Sequence, residues 1–296
     1  MEKSRVYFIR EITPENIIKA YEALGKNLEG NVAVKMHSGE QGNQNYLRPE
    51  FVQDVIHHVN GTVVECNTAY EGARNSTEKH KKLIEEHEWN KYFPFDLLDA
   101  EGPDMELEIP NGKVLKKNYV GKNLANYNAL LVLSHFKGHA MGGYGGALKQ
   151  LSIGCASSRG KTLIHTAGVT DEQKVLFQNL PEQDRFLEAM ADAAKSVVDY
   201  FKGNAVYINV MKNISIDCDC DAHASAPCMQ DIGILASLDP VAVDQACLDL
   251  VYQSNDPGKD KLIERIESRH GVHTIESAYD LGVGNREYEL VQIDEK

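Results

Sequence analysis

The segment ALLVLSHFKGHAMGGYGGALKQ, residues 129–150, contains the pattern from which we predict the fold. Its apolar beginning is typical of a buried strand, its glycine-rich middle of a loop, and its end of a short helix. The same succession recurs along the chain, as in RVYFIR at residues 5–10 followed by PENIIKAYEALGKNL at 14–28. This alternation predicts an α/β fold with a largely parallel sheet flanked by helices.

One stretch departs from this alternation. MELEIPNGKVLKKNYVG, residues 105–121, alternates polar and apolar side chains around Asn111 and Gly112, a dipeptide typical of two-residue hairpin turns. We therefore predict a β-hairpin insertion at about residues 104–121. The sequence contains no internal repeat, low-complexity tract or obvious linker, so we expect a single α/β domain over residues 1–296.

The charge balance limits the partners that we expect. The chain has 44 acidic and 31 basic residues and a formal net charge of −13. Duplex nucleic acid and anionic membrane surfaces both require a basic face, so neither is an expected partner. The sequence shows no secretory leader and no apolar run of about eighteen residues, which predicts a cytoplasmic location. Six cysteines are too few for a disulfide scaffold in a chain of this length.

Ligands of α/β proteins bind where strands end and loops lead into helices. The glycine-rich segment lies at such a point and carries His135, His139 and Lys149, which we predict as catalytic residues. Glycine lets the backbone approach a ligand closely and leaves amide groups free to face an anion. Four glycines are therefore predicted cofactor contacts: Gly142, Gly143, Gly145 and Gly146. The order of a Walker loop is not met, because Gln150 follows Lys149.

Polar side chains after two other predicted strands point to the same edge of the sheet. His37 and Glu40 follow the strand NVAVKM, and Arg74 follows the strand GTVVECN. We predict that these three residues, together with Lys149, contact the ligand or cofactor. The alternative for His37 and Glu40 is a polar loop that caps the helix starting near Pro49.

A second concentration of reactive side chains is DCDCDAHASAPC, residues 217–228. Thiolate and imidazole are ligands that suit zinc or iron. The predicted metal ligands are Cys218, Cys220, His223, Cys228 and His165. The alternative for this segment is a polar loop with reduced, partly buried cysteines. Cys66 and Cys155 could join the cluster in space, whereas Cys247 lies on an apolar helix and is expected in the core.

Three motifs span most of the chain: KMHSGEQGNQNYLRPEFV at 35–52, SHFKGHAMGGYGGALKQLSIGCASSRGK at 134–161, and DIGILASLDPVAVDQACLDLV at 231–251. Together they resemble the family catalogued as domain of unknown function 362. Members of that family are often associated with ferredoxin-like modules that carry iron–sulfur clusters. This chain has no C-x-x-C-x-x-C run, so the resemblance does not imply a ferredoxin role for it.

The order of His139, Lys149 and His165 is also similar to that in enzymes of the lactate-racemase type, which use a nickel-pincer nucleotide. The resemblance implies that Lys149 holds a pyridine-derived cofactor covalently and that His165 ligates nickel. It further implies that His139 acts as acid and base while hydride moves to and from the cofactor. Arg74 resembles an arginine of the same enzymes. Amine and imidazole groups suit these tasks chemically.

These observations support three hypotheses about function. The first is an enzyme that uses a metal ion (iron, zinc or nickel), with or without a nucleotide-derived cofactor, for proton or hydride chemistry on a small anionic substrate. The second is a non-catalytic redox protein that binds iron or zinc in the loop at residues 218–228 and meets a redox partner protein. The third is a regulatory module that binds a phosphorylated small molecule through the glycine-rich loop, without a metal.

Overall fold

The computed structural model of the protein describes residues 3–294; residues 1, 2, 295 and 296 of the predicted domain lie outside the described residues. Strands in this part of the chain are β1 (Ser4–Ile9), β2 (Val32–Lys35), β3 (Gly61–Glu65), β4 (Phe95–Leu97), β5 (Met105–Glu108), β6 (Lys117–Val120), β7 (Ala129–His135), β8 (Lys137–His139), β9 (Gly143–Gly145), β10 (Ala205–Met211), β11 (Gly233–Ser237) and β12 (Tyr288–Gln292).

The α-helices in the same part are α1 (Pro14–Ala23), α2 (Pro49–His58), α3 (Thr77–Glu86), α4 (Trp89–Tyr92), α5 (Ala147–Lys149), α6 (Ser158–His165), α7 (Gln183–Phe201), α8 (Pro240–Gln253), α9 (Lys259–Ser268) and α10 (Val272–Asp280). Short 3₁₀-helices occupy Lys122–Asn126 and Gln173–Gln178, and a π-helical turn, Gln150–Gly154, continues α5. No helix within residues 3–294 combines the length and the apolar character that crossing a bilayer requires.

Among the described residues, eight strands form one sheet in the order β12-β1-β11-β10-β7-β2-β3-β4. Every neighbouring pair from β10 to β4 is parallel, whereas β11 runs antiparallel to both β10 and β1. The predicted fold class is therefore confirmed. The chain passes from β2 to β3 in one direction along the sheet and from β7 to β10 in the other. Such a switch point opens a crevice at the carboxyl ends of β2 and β7.

The central strand β7 is buried at every position. Because side chains alternate between the two faces of a strand, a continuous apolar run is what a strand covered on both sides needs. Leu130 and Val132 pack in the core beneath α7 and α8, while Leu131 and Leu133 pack in the core beneath α1 and α2. Cys247 of α8 lies in the first of these cores, as expected.

The predicted β-hairpin is confirmed, since β5 and β6 pair antiparallel with Met105 opposite Val120 and Glu108 opposite Lys117. Its turn differs from the expected two-residue form, because residues 109–116 separate the paired strands. The carboxylate of Asp192 on α7 explains the longer loop. It accepts three successive backbone N–H groups, from Lys113, Val114 and Leu115. A distant helix therefore fixes this connection.

Candidate active site

A cavity of about 580 Å³ lies at the carboxyl ends of β2 and β3, beside the hairpin that follows β7. Its volume is within the usual range for small-molecule sites, and it adjoins the switch point between β7 and β2. Seven predicted site residues lie on its wall: His37, Glu40, Arg74, His139, Lys149, His165 and Cys220. Segments that are far apart in the sequence thus bring their reactive side chains to one place.

Arg74 is held by two carboxylates and keeps one nitrogen free. Its side chain is 3% exposed. Nε donates to Glu40 and Nη1 to Glu65, each at 3.0 Å, whereas Nη2 has no hydrogen-bond partner among residues 3–294. A buried N–H group costs free energy unless a partner satisfies it. The arrangement therefore offers one guanidinium donor to an anionic group in the cavity.

The carboxylate beneath Arg74 is ionised and the neighbouring histidine is neutral. Burial alone would raise the pKa of Glu65, but the hydrogen bond from His80 and the charge of Arg74 hold that pKa well below its usual range. Burial lowers the pKa of His37 well below its ordinary value. Its Nδ1 accepts the backbone N–H of Gly39 at 3.0 Å, so the ring proton is on Nε2.

A cluster of two cysteines, a lysine and a histidine occupies one side of the cavity. Lys149 Nζ donates to Cys218 Sγ at 3.1 Å, and the backbone N–H of Cys220 donates to the same sulfur at 3.5 Å. His139 Nε2 lies 3.9 Å from Cys220 Sγ. The ligand atoms of His139, Cys218 and Cys220 all lie within 4.8 Å of one another, so this group of described residues could hold a metal ion.

These contacts move the pKa values of the two cysteines in opposite directions. Burial alone would raise the pKa of Cys218, but the hydrogen bond from the Cys220 thiol and the charge of Lys149 lower it well below its ordinary value. The same hydrogen bond, together with burial, raises the pKa of Cys220. Burial opposes the charge on Lys149, yet the Cys218 thiolate raises its pKa. The cluster therefore favours an ammonium on Lys149, a thiolate on Cys218 and a thiol on Cys220.

His139 directs a proton towards the sulfurs. Its Nδ1 accepts the backbone N–H groups of Gly142 at 2.8 Å and Met141 at 3.2 Å. Burial and the charge of Lys149 lower the pKa of the ring, and a neutral ring with an accepting Nδ1 carries its proton on Nε2. A metal ion bound by His139 and the two cysteines would have to displace this proton and the Lys149 ammonium. The hydrogen bonds therefore compete with metal binding.

The ring of His165 carries its proton on the other nitrogen from that of His139. Its Nδ1 donates to the carbonyl of Lys161 at 2.7 Å, and its ring stacks on Phe186 with 5.2 Å between centroids. Burial lowers the pKa of His165 to about 4, so the ring is neutral and Nε2 carries a lone pair. A histidine whose Nδ1–H is held by a carbonyl has the usual form of a metal ligand or general base. This geometry suits the predicted role of His165.

His135 does not lie on the cavity wall. Its Nδ1 pairs with the carboxylate of Asp219 at 2.8 Å, and its Nε2 bonds the carbonyl of Lys212. The buried Lys137 donates to the same carboxylate at 2.7 Å. Both ring nitrogens are therefore used, which leaves none for the predicted catalytic role. His135 instead fixes Asp219, which lies between the two cysteines of the cluster.

The four predicted cofactor-binding glycines are used for packing. Gly142, Gly143, Gly145 and Gly146 are buried, and none of them is part of the cavity wall that the described residues form. A Cβ atom at Gly146 would lie 2.4 Å from Asp244 Oδ1, and one at Gly143 would lie 2.9 Å from the Cα of Gly271. Asp244 also accepts the amide groups of Ala147 and Leu148. The amides at the start of α5 are thus not free to face an anion.

The predicted metal ligands separate into two groups. Cys218 and Cys220 lie together, but His223 is exposed and Cys228 is only partly buried, and neither belongs to the metal-competent group within residues 3–294. His139, which we predicted as a catalytic residue, takes their place. Cys66 Sγ donates to the carbonyl of Cys155 at 3.5 Å, outside this group.

Sequence reasoning missed Glu65 and Asp244. Glu65 is the last residue of β3, and a charged residue that closes a buried strand at the ligand-binding edge could have pointed to it. Asp244 caps α5, the short helix that carries Lys149, and also accepts from Asn209. Burial raises the pKa of Asp244 to about 6. No local pattern reveals this contact, because 97 residues separate Asp244 from Ala147.

A family model described as "Domain of unknown function (DUF362)" matches residues 32–249, which is most of the chain. The chain belongs to this family. The match confirms the family that the three sequence motifs predicted, and it includes the cavity and the cluster around Lys149. The comparison with curated proteins found no match to the chain.

Two solved structures are similar to this DUF362 chain. The lactate racemase apoprotein from Thermoanaerobacterium thermosaccharolyticum is 13% identical, with a TM-score of 0.46, over 84% of this chain and 57% of that one. A structural-genomics protein from Thermotoga maritima is 12% identical, with a TM-score of 0.44, over 90% of this chain and 58% of that one. The chain thus spans less than two thirds of the length of either protein.

Proposed function

We propose that the protein is a metal- or cofactor-dependent enzyme that performs proton or hydride chemistry on a small anionic substrate in the 580 Å³ cavity. The observation that carries the proposal is the free Nη2 of Arg74, which is buried on the cavity wall and has no partner among the described residues. A carboxylate or phosphate group would satisfy it with a charge-assisted hydrogen bond.

The charges of the cavity favour an anion although the whole chain is acidic. Four basic side chains lie on the wall, Lys35, Lys149, Lys161 and Arg74, whereas the acidic residues Glu71 and Asp221 of the wall are exposed to solvent. Glu40 and Glu65 are both tied to Arg74 and therefore offset only part of this charge. Low-dielectric surroundings strengthen the attraction between such cations and an anionic substrate.

Neutral imidazole and ammonium supply the reactive groups. His165 lies on the cavity wall with its Nδ1–H donated to Lys161, and its Nε2 would hold a metal ion or accept a proton there. Lys149 can donate a proton or pair with substrate charge, because it is held as an ammonium beside Cys218. Bound nickel, iron or zinc would supply Lewis acidity or, with a nucleotide-derived cofactor, a hydride acceptor.

Covalent attachment of a cofactor to Lys149 places a further demand on this site. An ammonium has no lone pair, so the amine must first lose the proton that the Cys218 thiolate favours. The expectation of a covalent cofactor is therefore tested separately, by the intact mass of the protein as purified. An added mass that maps to Lys149 would support it, and an unmodified Lys149 in active protein would exclude it.

Anion binding tests the proposal directly. Oxalate and inorganic phosphate serve as probes in isothermal titration calorimetry, with Arg74→Lys compared with Arg159→Lys. Lysine preserves the charge beside Glu40 and Glu65 but loses the planar guanidinium, so we expect roughly ten-fold weaker binding. The matched change at Arg159, an exposed residue paired with Asp171 outside the cavity, should leave affinity unchanged. Equal affinities of the two variants, or no binding of either probe to the wild type, would contradict the proposal.

Metal analysis tests whether the protein binds a metal ion in the cavity. Protein purified without a nickel column is analysed for iron, zinc and nickel by mass spectrometry, together with the variant His165→Gln. We expect a metal content that the substitution lowers, because the hydrogen bond from Nδ1 of His165 to Lys161 leaves the lone pair of the neutral ring on Nε2. A metal that persists in His165→Gln but is lost in Cys218→Ser would instead favour the non-catalytic metal-binding protein of our second hypothesis.

A further inference from the structure

The dithiol of Cys218 and Cys220 has features that the proposed function does not use. The Lys149 ammonium lies 3.1 Å from Cys218 Sγ, and the backbone N–H of Cys220 points at the same sulfur. Cys218 is 3% exposed, so water does not screen these contacts. A cation at this distance stabilises the thiolate form of a cysteine, and the thiolate is the form that attacks other atoms.

The second cysteine is placed where a resolving thiol is needed. The two sulfur atoms lie within 4.8 Å of each other. The N–H of Asp221 donates to the carbonyl of Cys218 at 3.0 Å, which closes a turn and holds residues 218 and 220 close together. Asp219, between them, is fixed by His135 and Lys137. A disulfide therefore needs rotation of two side chains rather than refolding of the loop.

The cavity reaches the pair through Cys220. Cys220 is part of the cavity wall and is partly exposed, and His139 Nε2 lies 3.9 Å from its sulfur. Cys66 also lies on the cavity wall, but it and Cys155 are buried, and burial raises the pKa of both thiols. Cys228 is partly buried and lies on the same loop, but the metal-competent group of the described residues does not include it. The Lys149 ammonium beside Cys218 and the partial exposure of Cys220 therefore favour this pair of sulfurs for reaction with a small molecule.

We propose that Cys218 and Cys220 form a redox-active dithiol that a small peroxide oxidises to an intramolecular disulfide. The Cys218 thiolate attacks one peroxide oxygen and the O–O bond breaks. The departing hydroxide takes a proton from Lys149, which leaves sulfenic acid on Cys218 and one water molecule. The Cys220 sulfur then attacks Cys218 Sγ, and its proton leaves with the hydroxyl group as a second water molecule. The two sulfurs lose two electrons, and hydrogen peroxide is reduced to two waters.

Oxidation also changes the cavity. Lys149 regains its proton from solvent, but a disulfide has no charge, so the ammonium lacks the partner that it has in the reduced protein. The site would thus bind its ligand differently in the two redox states. This inference uses Cys218, Cys220 and Lys149 and does not depend on anion binding at Arg74.

The test follows each cysteine separately in the full chain. Reduced protein is freed of metal with a chelator, treated with one equivalent of hydrogen peroxide, labelled with N-ethylmaleimide and mapped by mass spectrometry. We expect the peptide that contains Cys218 and Cys220 to lose two hydrogen atoms and escape labelling, roughly ten-fold faster than Cys228 is oxidised. Dithiothreitol should restore both labels.

Three variants sharpen the result. Cys220→Ser should stop the reaction at a Cys218 sulfenic acid that dimedone traps, and Lys149→Met should slow oxidation roughly ten-fold. Cys228→Ser is the matched control and should react as the wild type does. Oxidation of Cys228 at the same rate as Cys218, or an unchanged rate in Lys149→Met, would overturn the proposal. Because the wild-type comparison of cysteines within one chain needs no variant, a folding defect in a variant does not obscure the outcome.

Discussion

The glycine-rich segment at residues 142–146 and the cysteine loop at residues 217–221 both contain residues associated with ligand binding, but the fold uses them differently. In the first, Gly146 packs against Asp244, and Asp244 takes up the amide groups that follow it. In the second, the sulfur of Cys220 reaches the cavity wall. The difference teaches that a reactive residue type marks a site only where the fold leaves some of its bonding capacity unused.

The largest expected effect is a loss of stability when a glycine of the glycine-rich segment is substituted. Gly146→Ala would place a methyl group 2.4 Å from Asp244 Oδ1 and displace the carboxylate that caps α5, so we expect a loss of about 3 kcal/mol in the free energy of unfolding. Gly142→Ala is the matched control, since its nearest contact, His139 Nδ1, would be at an ordinary 3.5 Å. Urea denaturation measures both. A stable Gly146→Ala protein with impaired anion binding would restore the ligand-binding interpretation of the glycines.

The next largest effect is the pH dependence that His165 gives to the free energy of unfolding. Its folded pKa of about 4 is below the ordinary value of 6.5, so the folded protein binds this proton less readily than the unfolded chain. The neutral ring contributes stability above pH 6.5, and this contribution is lost as the pH falls towards 4. We expect His165 to lower the free energy of unfolding by about 2 kcal/mol between pH 7 and pH 5, relative to His165→Gln.

Denaturation of wild type and His165→Gln at several pH values gives this difference. An NMR titration of the ring checks the cause. A titration midpoint near 6.5 would mean that solvent reaches the His165 ring and that the ring is not a preorganised ligand.

A smaller effect concerns the thiolate of Cys218. Its ultraviolet absorbance should be present at neutral pH in the reduced wild type and absent from Cys218→Ser. In Lys149→Met the sulfur loses the ammonium that lowers its pKa, so the thiolate should appear only at higher pH. Lys82→Met, on the exposed face of α3, serves as the control. Identical titrations of the two lysine variants would show that Lys149 does not control this sulfur.

The smallest effects should come from the residues of the cysteine loop that lie outside the cluster. Cys228→Ser and His223→Ala should each change the free energy of unfolding by less than about 1 kcal/mol. Neither should alter zinc affinity, measured by competition with a chromophoric chelator, because neither belongs to the metal-competent group of the described residues. Loss of zinc binding in either variant would support the ligand set predicted from the sequence, which includes His223 and Cys228.

The sequence predicted most of the fold because hydrophobic periodicity is a local signal. The run at β7 and the amphipathic face of α1 follow from neighbouring residues alone. The hairpin turn did not follow, because Asp192, which lies 77 to 79 residues from the loop that it holds, determines its length. Local patterns carry no information about such contacts.

The candidate site divides in the same way. Residues next to strand ends, such as His37 and Arg74, could be predicted, since strand ends meet at the switch point. The contact between Lys149 and Cys218 joins positions 69 apart in sequence, and the free nitrogen of Arg74 depends on where two carboxylates lie. Which histidine keeps a lone pair is decided by single hydrogen bonds, and residue type alone does not give them.

The position of β1 in the sheet has a consequence for synthesis of the chain. β1 pairs with β11 on one side and β12 on the other, although residues 10–232 separate it from the first of these partners. A ribosome therefore releases β1 long before either neighbour exists, and its backbone donors remain without strand partners until residues 233–292 have been synthesised. This part of the sheet forms after the parallel strands around β7, so nascent chains should depend on chaperones for longer here than at those strands.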